Sequence, residues 1–426
     1  MLIEIHILQN HAPSNLNRDD SGSPKECVFG NVKRARISSQ CLKRTIRRSD
    51  IFQAEMSGHL AERTRRLPEL VLQRLKEDGV SDDLCKAAAK KVSEFGKKDV
   101  KAAEAGADGA EQEKKTGKSP KSGASQKDED LRTRQTMFLT QRDIDAVTGV
   151  MKAAAEKAKS VKDLEGLAAS ELQKQAQQSG YRPITVDIAL FGRMTTSEAF
   201  RDVAAAAQVA HALSTHKVDH EYDYFTAVDD LKGGAEEEED MGADMLGDVE
   251  YNSACYYKYF SIDLDGLIRN LTGESAHRKE VSQEDRTNAR DLAARAVESL
   301  LKAAVMTTPT GKQNTFAAHQ FPAAVLVEVR PHATPVSYAN AFVKPAWVSP
   351  SGRGAGDVDL VSDSLDKLST HVKALTNGFN LESSARLLLS PEYPRFAIDS
   401  VERVDDLNSL RSRLRDVMTQ RETVNG

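Results

Sequence analysis

The chain has 426 residues, a formal net charge of -5, 39% hydrophobic and 29% charged residues. This composition indicates a globular protein of two or three domains. The longest apolar runs, such as residues 323–327, are too short to cross a bilayer, and the N-terminal residues lack the features of a signal peptide. The four cysteines are far apart in sequence and form no CxxC pair, which predicts reduced thiols in a cytoplasm and argues against a disulfide framework or a zinc knot.

Hydrophobic periodicity predicts alternating strands and helices along the chain. Strands are predicted at residues 2–9, 184–190, 251–264 and 323–330. Helices are predicted at residues 38–48, 52–92, 141–178, 197–213, 289–306, 364–375 and 404–418. Strands separated by single helices, with large insertions between them, predict an α+β fold around one sheet.

Two segments depart from this pattern. Residues 96–130 are rich in Lys, Ala, Gly and Glu and nearly devoid of large apolar residues, so a disordered insertion is predicted there. Residues 215–250 are polar and contain an acidic cluster at 236–240, which predicts a projecting loop or hairpin.

A basic run is the most informative local feature. Residues 33–48 contain seven Lys and Arg residues and no acidic one, although the whole chain is acidic. Ser38 or Ser39 is a suitable helix N-cap, and at about 100° per residue Gln40, Lys43 and Arg47 fall on one stripe. Such a face, next to a helix N-terminus, suits phosphate. The alternative is an ordinary solvated cationic face, and the spacing alone leaves both open.

Motifs for metal or nucleophile chemistry are weak. Three histidines between residues 211 and 220 lack the spacing of a known zinc motif. The Asp pairs at 19–20 and 229–230 could hold magnesium, although adjacent carboxylates seldom chelate together. Gly311-Lys312-Gln313 is not a phosphate-binding P-loop, yet Lys312 could meet a backbone phosphate from a tight turn.

Exposed aromatic residues are expected in the projecting segment. Tyr222, Tyr224 and Phe225 interrupt a polar stretch, where they would stack on a base, contact a neighbouring subunit or pack on their own domain. Met194 directly follows Arg193 and is either core filler or an apolar plug beside a phosphate-binding arginine.

Several longer strings occur in a recognisable order. They are Asn17-Arg18-Asp19-Asp20, Arg36-Ile37-Ser38-Ser39-Gln40-Cys41-Leu42-Lys43-Arg44, Asp187-Ile188-Ala189-Leu190-Phe191-Gly192-Arg193-Met194, Tyr224-Phe225-Thr226-Ala227-Val228-Asp229-Asp230, Tyr256-Tyr257-Lys258-Tyr259 and Gly311-Lys312-Gln313-Asn314-Thr315. In these strings, which span residues 1–345, the sequence resembles the backbone subunit of the subtype I-E CRISPR surveillance complex, Cascade.

The resemblance implies a hand-shaped α+β protein with a modified RRM-like (ferredoxin-like) palm. The palm would comprise residues 1–50, 181–214 and 251–426, with helical fingers at 51–180 and a thumb loop or hairpin at 215–250. It also implies a cytoplasmic, non-catalytic scaffold for antiviral defence, without cofactor, metal or membrane. Its partners would be CRISPR RNA, further copies of itself in a head-to-tail filament, other Cascade subunits and, through the guide, target DNA.

The resemblance further implies site residues by matching position. RNA contacts are predicted for Arg18, Lys25, Ser38, Gln40, Lys43, Arg47, Arg193 and Lys312. A wedge beside a displaced nucleotide is predicted from Met194, Tyr224, Phe225 and Thr226.

Two other functions compete with this interpretation. One is a metal-dependent ribonuclease that uses a loop aspartate such as Asp19, Asp20 or Asp229, because more distant backbone subunits cut RNA in this way. The other is a general RRM-type RNA chaperone that binds RNA one to one.

Overall fold

The computed structural model describes residues 1–96, 131–133, 136–158, 160–179, 184–195, 197–227, 245–274, 280–346 and 359–419. The insertion predicted to be disordered lies outside these residues except for Gly96, and the acidic run at 236–240 lies outside them entirely. The chain forms two compact units. The first, here called the sheet unit, comprises Met1–Ser57, Ala207–Gly266 and Arg290–Gly426. The second, here called the helical unit, comprises Gly58–Ala206 and Leu267–Ala289.

The described residues contain twelve strands. They are β1 Leu2–Ser14, β2 Glu26–Phe29, β3 Val32–Ile37, β4 Glu62–Thr64, β5 Met137–Leu139, β6 Ala207–Val209, β7 Ala212–Ser214, β8 Glu221–Ala227, β9 Met245–Asp263, β10 Ala324–Arg330, β11 Ala385–Leu389 and β12 Glu402–Arg403. Strands β4 and β5 pair in the helical unit, and the other ten form one sheet in the order β12-β11-β10-β1-β9-β7-β3-β2, with β6 and β8 also paired to β9.

Thirteen α-helices lie within the described residues. They are α1 Ser39–Arg48, α2 Asp50–Glu55, α3 Leu67–Glu77, α4 Asp82–Ser93, α5 Gln141–Lys157, α6 Val161–Gly166, α7 Ala169–Gln178, α8 Val186–Phe191, α9 Leu264–Thr272, α10 Gln283–Met306, α11 Gln313–Phe316, α12 Leu360–Gly378 and α13 Leu407–Thr419. Each of them is too short or too polar to span a membrane.

Strand β1 is the centre of the large sheet. It pairs antiparallel with β9 on one side and with β10 on the other, and almost all of its side chains are buried. Because successive side chains point to opposite faces of a strand, Tyr257 and Tyr259 pack with α12 on one face, whereas Tyr256 packs with Leu42 of α1 on the other. The sheet is therefore covered by a core on each face.

The strands predicted at 2–9, 251–264 and 323–330 are confirmed, and β10 is close to its expected bounds. Strand β1 continues beyond its expected end to Ser14, and β9 begins before its expected start, at Met245. The hairpin predicted within 215–250 is also confirmed, because β8 pairs antiparallel with the first part of β9. The residues between β8 and β9, 228–244, lie outside the described residues.

Two element predictions are wrong. The run at 184–190 forms helix α8, which begins after the extended residue Thr185, and not a strand, because the run is too short for its periodicity to decide. The alanine-rich stretch at 197–213 is not helical. Its backbone pairs with β9 through β6 and β7, so tertiary pairing overrides the helix propensity of alanine.

Candidate nucleic-acid-binding surface

The loop at residues 15–25 is tied to the start of α1 by the Asn17 backbone and side chain. The Asn17 carbonyl accepts the Lys25 N–H at 2.8 Å, and its side-chain Oδ1 accepts the N–H of Ser38 at 2.8 Å. Ser38 is the N-cap residue of α1, and its hydroxyl accepts the N–H of Cys41 at 3.2 Å. Arg18 and Lys25 are thereby carried on a loop that is anchored at the N-terminus of the basic helix.

Helix α1 faces the core with Leu42, Ile46 and Arg47. Gln40 is exposed, and Lys43 is half-buried, which lowers the pKa of its ammonium below the ordinary 10.5. The N-terminus of α1 contains no acidic residue in its first turn, so its free N–H groups keep a positive field.

The predicted stripe of Gln40, Lys43 and Arg47 is only partly exposed. Arg47 is 9% exposed, and the cations of α1 that do face solvent are Arg44 and Arg48. The helix packs on the core through Leu42 and Ile46. Its rotation about its own axis also buries Arg47, so the side of the helix that carries Arg44 and Arg48 faces solvent. A helical wheel is compatible with solvent exposure of either side of α1, and only the packing of α1 decides which side is exposed.

Arg44 and Arg48 line a cleft of about 1100 Å³ in the sheet unit. Arg18, Thr45 and Gly311 also line this cleft, so the loop, the helix and the segment before α11 meet there. Sequence reasoning did not select Arg44 and Arg48, although their i, i+4 spacing places two cations on one side of a helix. The cleft also contains carboxylates, and it is therefore not uniformly positive. They are Asp19, Asp20 and Asp50.

Asp19 uses its carboxylate to shape its own loop. Its Oδ1 accepts hydrogen bonds from the Ser21 hydroxyl at 2.7 Å, the Ser21 N–H at 2.9 Å and the Ser23 N–H at 3.1 Å. The Ser21 hydroxyl contributes most to lowering the pKa of Asp19. This turn gives Asp19 a local structural role and reduces its capacity to hold a catalytic metal.

Lys312 lies close to the base of the same loop. Its neighbour Gly311 passes so near the loop that a Cβ there would lie 2.6 Å from the Asn15 carbonyl oxygen and 2.4 Å from that of Leu16. Lys312 itself adopts a left-handed conformation with φ 49° and is half-buried. The tight turn predicted for this segment is therefore present, and it places Lys312 beside the strand-to-loop junction.

Arg193 belongs to the helical unit and has a structural environment. It is 8% exposed, and its Nη1 donates to Asp143 Oδ2 at 2.9 Å, while its Nε donates to the Arg201 carbonyl at 3.0 Å. The Arg193 guanidinium is therefore occupied by partners within the chain and is little exposed, and its contact with RNA stays a prediction. By contrast, the adjacent Met194 is 94% exposed, so it is not core filler in the described residues.

The β8–β9 hairpin presents the predicted aromatic residues. Tyr224 is 79% exposed, Phe225 is 43% exposed, and Tyr222 and Thr226 are exposed as well. The side chain of Asn15 donates to the Glu250 carbonyl at 2.9 Å and to the Gly22 carbonyl at 2.9 Å, which ties the base of the hairpin to the loop that carries Arg18.

A buried group of Glu4, His6 and Glu328 is the one candidate metal cluster among the described residues. Both carboxylates are already neutralised by arginines: Glu4 bonds to Arg330, and Glu328 bonds to Arg330 at 2.9 Å and to Arg386 at 2.6 Å. Both carboxylates therefore have cationic partners without a metal ion, and these ion pairs give them a structural role.

The fold is similar to that of chains from solved CRISPR RNA-guided surveillance complexes. One, from a structure described as a "CRISPR RNA-guided surveillance complex, pre-nicking", has a TM-score of 0.72 and 26% identity, over 98% of this chain and 100% of that chain. A second, from a "CRISPR RNA-guided surveillance complex", has a TM-score of 0.62 and 23% identity over 97% and 99% of the two chains, and it shows the fold alone.

The chain belongs to the CT1975-like protein family, whose model matches residues 3–413. A comparison with curated proteins gave no significant match.

Proposed function

We propose that this protein is the CRISPR RNA-binding backbone subunit of a Cascade-type complex of subtype I-E. The observation that carries the proposal is the match, end to end, with a chain of an RNA-guided surveillance complex. Several copies would bind one RNA head to tail, together with other subunits of the complex. The large sheet would serve as a modified RRM-like palm, the helical unit as the fingers and the β8–β9 hairpin as the thumb.

The chemistry of the loop and α1 supports a grip on sugar and phosphate. A protein that must hold any guide sequence needs contacts that ignore base identity, because pairing with target DNA is left to the bases. Arg18, Lys25, Ser38 and Gln40 gather around the N-terminus of α1, where free N–H groups add to the positive field. Lys43 and Lys312 complete the proposed track.

We assign Arg44 and Arg48 to the same track, because they are the exposed cations of α1 and line the cleft beside Arg18. Arg47 is assigned mainly to the packing of α1, and Arg193 is left out because it is paired with Asp143 inside the helical unit. The proposed wedge beside a displaced nucleotide consists of three exposed residues of the hairpin, and the exposed Met194 of the helical unit is a separate candidate for contact with the RNA. Those three residues are Tyr224, Phe225 and Thr226.

We also propose that the subunit is not a nuclease and presents the guide for another component to act. The turn made by Asp19 favours a structural role for that carboxylate. Asp229 and Asp230 lie outside the described residues. Cleavage of a target RNA that needs magnesium and is lost in Asp20→Ala would favour the ribonuclease alternative.

The decisive experiment is purification after co-expression with a CRISPR array and the sibling subunits. A discrete small RNA and the siblings should co-purify with the parent chain, and less RNA should accompany a Arg44→Ala/Arg48→Ala double variant. Lys373→Ala is the matched control, because Lys373 is an exposed cation of α12 that pairs with Asp399 at 3.2 Å. Recovery of a folded monomer free of RNA from the parent chain would refute the proposal.

A further inference from the structure

Phe225 lies directly opposite a glycine in the β8–β9 hairpin. The strand register pairs Phe225 with Gly247. A Cβ built on Gly247 would lie 2.5 Å from Phe225 Cζ, 2.8 Å from Cε1 and 3.2 Å from Cε2. The far end of the ring therefore rests on the glycine backbone, in space that any other residue would fill.

The backbone of Gly247 does not itself require glycine. Its φ is outside the left-handed range in which the glycines with positive φ lie. Glycine inside a strand is unfavourable because it adds no packing and costs conformational entropy, so it usually marks a close approach of another group. Here that group is the Phe225 ring.

The neighbouring rings are held differently. Alternation along β8 places Tyr222 and Tyr224 on the opposite side of the hairpin from Phe225. Tyr224 faces Asp248 across the strands and is 79% exposed, whereas Phe225 is 43% exposed. Phe225 is thus the ring that packs against the opposite strand of the hairpin, and Tyr224 extends into solvent.

We propose that Gly247 is a positioning residue that fixes the Phe225 ring as a stacking platform for a nucleobase displaced from the bound RNA. A ring that is already held loses little freedom when a base stacks on it, so the glycine favours binding without touching RNA. This inference rests on the proposed function and identifies which hairpin ring meets the base.

A double-mutant cycle tests the proposal on the assembled complex. The variants are Gly247→Ala, Phe225→Ala and their combination, and an RNA that carries one 2-aminopurine reports binding and stacking. Gly247→Ala and Phe225→Ala should each weaken RNA affinity about tenfold. The combination should be no weaker than Phe225→Ala alone, because the clash disappears with the ring. Gly149→Ala is the control, since a Cβ at Gly149 meets nothing within 4 Å.

A structural measurement separates the proposed role of Gly247 from the proposed function of the protein. Fluorophenylalanine at position 225 should show a shifted fluorine resonance in Gly247→Ala before any RNA is added. An unshifted resonance, or additive losses in the double variant, would overturn the role of Gly247 while RNA binding by the parent chain stands. Failure of the parent chain to bind RNA would refute the proposed function itself.

Discussion

Lys258 donates a hydrogen bond to the side-chain oxygen of Gln9 inside the sheet unit. Lys258 is 1% exposed and pairs with Ile7 in the strand register. The described residues give it no ion-pair partner. Burial accordingly lowers the pKa of Lys258 from 10.5 to about 8, and the same burial, with Lys258 nearby, lowers the pKa of His11 to about 4. The sheet thus holds a cation that is compensated by a neutral amide alone.

Lys258→Met should stabilise the protein at pH 7 and change how its stability depends on pH. The folded state binds the Lys258 proton less tightly than the unfolded chain does, so between pH 8 and pH 10.5 the unfolded state carries more protons. Stability of the parent chain therefore gains from this residue as pH rises through that window, by of order 3 kcal/mol. Urea unfolding at pH 7 and pH 10 should show this gain in the parent chain and a smaller one in the variant.

The control for this prediction is Lys373→Met, which removes an exposed lysine of α12. It should leave the pH dependence of the free energy of unfolding as it is in the parent chain. Equal pH dependence in the Lys258→Met variant and the parent chain would mean that Lys258 is not a desolvated cation.

Arg44→Ala and Arg48→Ala should each weaken RNA binding and reduce the salt dependence of log K by about one charge. Both side chains face solvent in the cleft, so each can contact a phosphate without unfolding any element. Binding titrations at several salt concentrations give the slope. Arg47→Ala is the comparison. Because Arg47 is buried, this variant should have a lower melting temperature than Arg44→Ala and a smaller change in the salt slope. A larger change of the slope in Arg47→Ala than in Arg44→Ala would instead support the RNA-contacting face of Gln40, Lys43 and Arg47 that the sequence predicts.

The difference between Arg47 and Arg44 shows what the sequence could and could not determine. The extent of α1 follows from local chemistry and agrees with the prediction, and Ser38 is the N-cap of the two candidates, Ser38 and Ser39. The rotation of α1 on the sheet depends on which neighbours pack against Leu42 and Ile46, and a helical wheel contains no information about those neighbours. Similarly, the partner that buries Arg193 is Asp143, fifty residues earlier in the chain, so only the tertiary fold places them together.

The hairpin of β2 and β3 was missed for a different reason. No strand is predicted at these residues from the sequence, although Gly30 and Asn31 both have positive φ and form a tight turn between Phe29 and Val32. Gly-Asn between apolar residues is a recognised hairpin signal, so the information was present in the sequence.

Arg193→Ala should destabilise the helical unit by about 3 kcal/mol, because it leaves the buried Asp143 carboxylate without its cation. Met194→Ala, at the adjacent exposed position, should change the free energy of unfolding by less than about 0.5 kcal/mol. Urea unfolding of both variants measures the difference. An Arg193→Ala variant that keeps full stability and loses RNA affinity would show that Arg193 binds RNA after all.

Glu328→Gln should destabilise the protein at neutral pH and flatten its loss of stability in acid. Burial acts to raise the pKa of Glu328, but His6, Arg330 and the Tyr338 hydroxyl, which donates at 2.6 Å, together hold that pKa well below the ordinary 4.5. A carboxyl with a depressed pKa contributes stability above its unfolded pKa and loses it as pH falls below that value. Stability of the parent chain should therefore fall steeply below about pH 4.5, as Glu328 becomes protonated on unfolding.

The Gln side chain cannot titrate, so the variant should lack this part of the acid dependence. It should also lose about 3 to 5 kcal/mol at pH 7, because Arg386 loses its buried carboxylate partner and Arg330 keeps only Glu4. Urea unfolding between pH 3 and pH 7 separates the two effects. The matched control is Glu392→Gln, because Glu392 is exposed and its removal should change neither quantity. If Glu328→Gln reproduced the acid profile of the parent chain, the depressed pKa of Glu328 would be wrong, and the group of Glu4, His6 and Glu328 would again be open to a metal ion.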